Sequence, residues 1–334
     1  MTPTVVFDTY WRFAAERLAI FYRRYSDSRG PWTSDPILRT YRFTNTYRAA
    51  DRVSQYLIRE VQTRADRPQT AREIFFRTML FKIFNRIETW EALEERLGPL
   101  EWRRTDLAKL DGALEYLRSR GQKIYSAAYI MPSPALGHAR KHSNHIALVA
   151  QMMEDRLPER IQRAPSLRSV YDFVVRYPGI GPFLAFQYTI DLNYSSMLDF
   201  EEVDLVIAGP GALDGISKCF VDSGGRSAED VIYWVTERQE AEFKRRGLMF
   251  SGLFGRRLQP IDCQNLFCEI SKYARVAHPE VSGIANRTRI KQGYHPSSRP
   301  APVPQFPERW RLCVDEVASG RGKECVESPQ PSLF

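Results

Sequence analysis

The chain has 334 residues, 43% hydrophobic and 26% charged, with 48 Lys+Arg against 40 Asp+Glu for a formal charge of +8. That length can bury one large core or two smaller ones, and 21 prolines with 19 glycines are too few for a collagenous or wholly disordered chain. No apolar run approaches the ~18 residues a membrane span needs, and Met1–Asp8 lacks the charged and apolar regions of a secretory signal, so an intracellular protein away from membranes is expected.

Arginine outnumbers lysine 39 to 9. The planar guanidinium suits bidentate phosphate pairing, although a GC-rich genome produces the same bias; charge permits a polyanionic partner without demonstrating one. The five cysteines, Cys219, Cys263, Cys268, Cys313 and Cys325, read as reduced thiols. Cys263 and Cys268 have a poor zinc spacing, and neither a metal nor another cofactor is expected.

Periodicity predicts helices over Asp8–Arg24, Glu73–Ile87, a Thr89-capped stretch to Leu97, Leu107–Leu117, Ile146–Met153, Leu167–Arg176, Asp230–Lys244 and Gln264–Ala277. Lys123–Ile130 is the best strand candidate, and residues 25–36 and 154–166 are polar breaks. The fold class is therefore all-α, one domain of two packed lobes over residues 1–294. A proline-rich, flexible tail is expected over 295–334, with a short helix in Trp310–Val326.

Three segments carry chemistry. Tyr177-Pro-Gly-Ile-Gly-Pro-Phe-Leu-Ala185 is a helix-hairpin-helix pattern, in which Gly179, Ile180 and Gly181 offer main-chain N–H groups to a phosphate at a helix N-terminus; the bland alternative is a turn without a ligand. Arg42–Tyr56, taken as a helix, sets Asn45, Arg48, Arg52 and Gln55 on one face, suited to phosphates or base edges, unless it is a plain polar surface. In Leu258–Arg275, Asp262 is placed to cap a helix whose Asn265, Glu269 and Lys272 share a face; a surface ion pair or, if buried, an acid/base pair would result. The following Arg287, Arg289 and Lys291 form a basic arm for a nucleic-acid backbone. His138, His142 and His145 read as a phosphate-facing or solvent-facing surface rather than a metal site.

The hairpin followed by Asp191-Leu-Asn-Tyr-Ser195 and Asp199–Ala212 resembles the helix-hairpin-helix DNA glycosylases, which implies a glycosylase-like fold and an aspartate opening the next helix. Asp204 matches it by local pattern; by spacing from Gly179, Glu201 or Glu202 fits as well, and Glu202 is kept beside Asp204. Phe183 stands where bifunctional members carry a lysine, so lyase chemistry is not implied.

Together with Gly209–Phe220 and Asp262–Arg275, these blocks resemble the DNA base hypermodification family from Phe7 to Tyr294. This family comprises the helical domain of 5-hydroxymethyluracil DNA kinases and the related α-glutamyl/putrescinyl-thymine pyrophosphorylases, now regarded as amino acid:DNA transferases. The chain lacks Gly-x-x-x-x-Gly-Lys-[Ser/Thr], its nearest approach being Gly320-Arg-Gly-Lys-Glu324, so this chain alone is not expected to be the kinase. The resemblance implies a transferase that extrudes a phosphorylated 5-hydroxymethyluracil from double-stranded DNA and replaces its phosphate or pyrophosphate with an amino acid or polyamine. Arg48, Arg52 and Lys272 would stabilise the leaving group, and Asp204, Glu202 or Glu269 would deprotonate the amine. A separate kinase would be a partner. A monofunctional glycosylase acting through Asp204 and a non-catalytic DNA-binding module are the alternatives.

Overall fold

A computed structural model describes residues 1–27, 29–128, 131–295 and 302–314. The helices among them are α1 Val5–Ser26, α2 Pro36–Thr40, α3 Arg52–Tyr56, α4 Ala71–Phe84, α5 Ile87–Leu97, α6 Leu107–Ser119, α7 Lys141–Glu154, α8 Leu157–Gln162, α9 Leu167–Val174, α10 Pro182–Asn193, α11 Pro210–Cys219, α12 Ala228–Arg245 and α13 Pro260–Ala277. A two-residue strand, β1 Thr2–Pro3, pairs antiparallel with β2 Phe220–Asp222. The fold is all-α.

Helix α1 begins where the Thr4 hydroxyl accepts the N–H of Val6 at 3.1 Å, a side-chain cap. Its Phe7, Tyr10, Trp11, Phe13, Ala14 and Leu18 recur at helical spacing and are all buried. Each large apolar side chain so buried contributes about 1.5–3 kcal/mol. The stripe packs on α11 and α13. Those two helices approach so closely that a Cβ on Gly215 would lie 2.0 Å from the Phe267 carbonyl oxygen, which only glycine permits. A second set forms around α4, which packs on α5, α7, α8 and α10.

Several expectations change. Thr89 sits inside α5 rather than capping it, and its hydroxyl donates to the Ile124 carbonyl at 3.0 Å. Lys123–Ala128 carries no strand, and the rest of that candidate lies outside the described residues. The polar break after Glu154 holds the short α8. Of the tail, residues 302–314 dock on the body: Phe306 is buried, Gln305 donates its N–H to Gln55 at 2.8 Å, and Trp310 stacks on Phe306. The helix expected over Trp310–Val326 lies mostly outside the described residues; Trp310 ends a 3-10 turn, Glu308–Trp310, and residues 311–314 are not helical.

Candidate functional site

The Arg42–Tyr56 segment is not one helix. Thr44, Asn45 and Thr46 compete with helical backbone bonding, and the backbone donors here go to carboxylates instead. Glu269 accepts the N–H of Thr44 at 3.0 Å, Asp51 that of Asn45 at 2.7 Å and Asp262 that of Arg48 at 2.8 Å. A 3-10 turn at Arg48–Ala50 then leads into α3. The expected common face is therefore broken up. Asn45 is half-buried, accepting from Arg17 at 2.8 Å and donating to the Ala50 carbonyl at 2.6 Å. Arg48 turns inward, Arg52 is exposed 3.8 Å from Glu88, and buried Gln55 donates to the Ala49 and Gln305 carbonyls.

Arg48 is only 3% exposed and lies in a buried charge cluster. Its guanidinium meets Asp191 at 2.8 Å and donates to the Gln187 side chain at 2.9 Å. Asp191 also meets Lys82 at 3.2 Å, and Lys82 donates to Asn85 at 2.8 Å. Burial lowers the Lys82 ammonium, while Asp191 opposes that shift. Gln187 and Asp191, one turn apart on α10, thus join the 44–48 segment to α4. Sequence reading missed Lys82 and Gln187, because a polar residue in a strongly apolar helix reveals its partner only in three dimensions.

Glu202 and Asp204 share a 3-10 turn but face opposite ways. Glu202 is 2% exposed and 3.3 Å from Arg256, whose guanidinium lies over the Trp310 ring at 4.0 Å. Burial raises the Glu202 carboxyl, with Arg256 and Arg309 opposing. Asp204 is exposed. Asp262 does not cap α13. Gln259 is the N-cap, and Asp262 accepts its N–H at 3.0 Å from the third helical position. Burial, then the nearby Glu202 charge, pushes Asp262 up to about 7.

Two turns along α13, Glu269 meets Lys272 at 2.7 Å, and the Lys272 ammonium lies 5.2 Å from the Phe43 ring. Glu269 is buried; Lys272 and Asn265 are half-buried. This pair is a carboxylate beside an ammonium at the edge of the body, able to exchange a proton with an amine.

The turn over residues 177–181 joins α9 to α10. Gly179 adopts φ +78 and fits against Pro132 and Pro134. Ile180 is buried and donates its N–H to the Tyr177 carbonyl at 3.1 Å, so it does not offer that group to a ligand. Among the described residues, Gly179 and Gly181 donate theirs to no backbone acceptor outside the regular elements. Arg287, Arg289 and Lys291 are exposed.

The three histidines form no surface. His138 precedes α7, and His142 is buried 3.5 Å from Asp111. His145 is buried, 2.7 Å from the Tyr125 hydroxyl and 2.8 Å from the Pro132 carbonyl, and burial pushes it down to about 4. No group of three or more His, Cys, Asp or Glu able to hold a metal occurs among the described residues, and none of the helices there is long and apolar enough to cross a membrane.

A curated relative, the 5-hmdU DNA kinase of Bacillus phage SP10, is 27% identical over 290 residues, covering 81% of this chain and 45% of the relative. The chain thus spans about half the length of that relative. No solved structure matches. The family model described as "5-hmdU DNA kinase, helical domain" matches residues 4–283, and the chain belongs to that family.

Proposed function

We propose that the chain is a DNA-base-modifying transferase that replaces the phosphate or pyrophosphate of a phosphorylated 5-hydroxymethyluracil with an amino acid or polyamine. The supporting observation is the Glu269–Lys272 pair, 2.7 Å apart, held against the backbone of the 42–48 segment. Extrusion of the base brings its 5-methylene carbon to this edge. Glu269 takes a proton from the incoming ammonium. The amine lone pair attacks the methylene carbon as the C–O bond breaks, and the departing phosphate carries the electron pair. Lys272 stabilises the charge on that leaving group. Arg48, locked on Asp191, acts as a positioning residue. Gly179 and Gly181 hold the DNA backbone in a glycosylase-like, helix-hairpin-helix manner. A separate 5-hydroxymethyluracil DNA kinase supplies the substrate.

The test is nucleoside mass spectrometry of DNA carrying the phosphorylated base after incubation with the protein and a panel of amines. Amine-bearing nucleoside from the wild type and at least about a hundredfold less from Glu269→Gln is the expected result. Product formation untouched by Glu269→Gln removes this pair from the reaction.

A second reading, a non-catalytic module presenting DNA to a kinase, is favoured by the match to a helical domain and by the 45% share of a relative named as a kinase. It predicts DNA binding and no product with any amine.

A further inference from the structure

Beyond α13 the chain returns along the body as a strap tied at both ends. Asp214 on α11 accepts the N–H of Ala285 at 2.7 Å, and Ser217 accepts that of Ile284 at 3.2 Å. Gly283 lies so close that a Cβ there would sit 2.4 Å from the Asp214 carboxylate. Midway, Arg275 donates to the Arg289 carbonyl at 3.1 Å. At the far end Gly293 pairs antiparallel with Tyr41, Arg42 donates its N–H to Gln292 at 3.0 Å, and Tyr294 donates to Thr40 at 2.9 Å. Asp214 is buried, accepts from the Ser271 hydroxyl and lies 3.8 Å from Lys218.

This path gathers Arg39, Arg42, Arg275, Arg287, Arg289 and Lys291 along one edge. None of the six has a carboxylate ion-pair partner among the described residues, unlike Arg23 with Glu16, Arg64 with Asp66 or Arg118 with Glu115 elsewhere. Asp214 and Glu269 partly offset Arg275, and Glu16 and Asp35 line a groove with Arg39, yet with no carboxylate at ion-pair distance the edge keeps an excess of positive charge that attracts a polyanion. The edge ends at the catalytic candidates: the carbonyl of Arg42 is 3.4 Å from the Lys272 ammonium.

We propose that this edge is a track for the phosphate backbone of duplex DNA, gripped without regard to sequence, and that Asp214 positions the strap forming it. The proposal rests on the DNA reading above. It adds Arg39, Arg42 and Arg275 to the basic arm and gives the duplex a direction, toward Glu269 and Lys272.

The test is binding of a labelled duplex of arbitrary sequence, followed by fluorescence anisotropy between about 50 and 200 mM salt. Removing one arginine that grips a phosphate should reduce the log–log salt slope by roughly one. Arg39→Ala/Arg42→Ala should therefore flatten the slope by about two, while the charge-matched Lys109→Ala/Lys244→Ala on the exposed faces of α6 and α12 keeps the wild-type slope. Asp214→Asn should flatten it too, although the aspartate itself grips no phosphate. Equal slopes for the two double variants would overturn the track while leaving DNA binding intact. Absence of duplex binding by the wild type would overturn the DNA reading itself and the track with it.

Discussion

Asp262 accepts the backbone N–H of Arg48 at 2.8 Å, and two turns further along the same helix Glu269 accepts that of Thr44 at 3.0 Å. One helix therefore fixes both ends of the segment that carries Arg48 into the core. Asp262→Ala leaves the N–H groups of Arg48 and Gln259 without this acceptor, at about 1–3 kcal/mol for each buried donor. Urea denaturation should show a loss of roughly 2–6 kcal/mol, with Asp262→Asn, which keeps one acceptor oxygen, losing less.

Asp191 is shared by two buried cations, so its removal should cost more than removal of either one. Asp191→Ala is expected to destabilise by about 3–5 kcal/mol. Lys82→Met leaves Asp191 paired with Arg48 and should cost distinctly less. Chemical denaturation of both variants checks the order; equal losses would contradict it.

The raised carboxyl of Asp51 makes a pH prediction. Burial, opposed by the Asn45 N–H, brings it up to about 7 against an unfolded value of 3.8. The folded state then holds more protons between those values, so the stabilisation is full below about pH 4 and is lost as pH rises through about 7. The stability of the wild type relative to Asp51→Asn should fall across that window, by up to about 1.4 kcal/mol per pH unit. His145, pushed down to about 4, acts oppositely: its contribution is present above 6.5 and is lost as pH falls toward 4. Referring each pH to the Asp51→Asn variant cancels that background.

Gly215→Ala places a methyl group where the Phe267 carbonyl already stands, 2.0 Å from the ideal Cβ. Helices α11 and α13 must separate, at about 1–3 kcal/mol or more. A lowered melting temperature is expected. Since α13 carries Asp262 and Glu269, the proposed transferase reading predicts loss of the amine-bearing product alongside it.

The long amphipathic helices were legible because their apolar residues repeat at three and four, as Tyr10, Phe13, Ala14, Leu18 and Phe21 do in α1. The turn between α9 and α10 was legible through Gly179, whose positive φ it requires. The Arg42–Tyr56 segment was not, because the N–H groups of Thr44 and Arg48 go to carboxylates on distant α13. The same limit hid Lys82, which is identifiable only once α4 and α10 are packed together, and separated Glu202 from Asp204, two neighbours whose opposite orientations follow from a single 3-10 turn. His142 and His145 looked like a surface because their helical spacing was read without the Tyr125 and Asp111 partners that bury them. The docking of residues 302–314 was concealed by their proline content, which predicts extension but not what Phe306 and Trp310 pack against.

Stoichiometry tests the transferase reading most directly. DNA carrying phosphorylated 5-hydroxymethyluracil is mixed with the protein and an isotope-labelled amine, and released phosphate or pyrophosphate is counted against label incorporated in the DNA. A transferase yields both together, one for one, and neither without the amine. Release without incorporation, label without release, or abasic sites in place of either would contradict it.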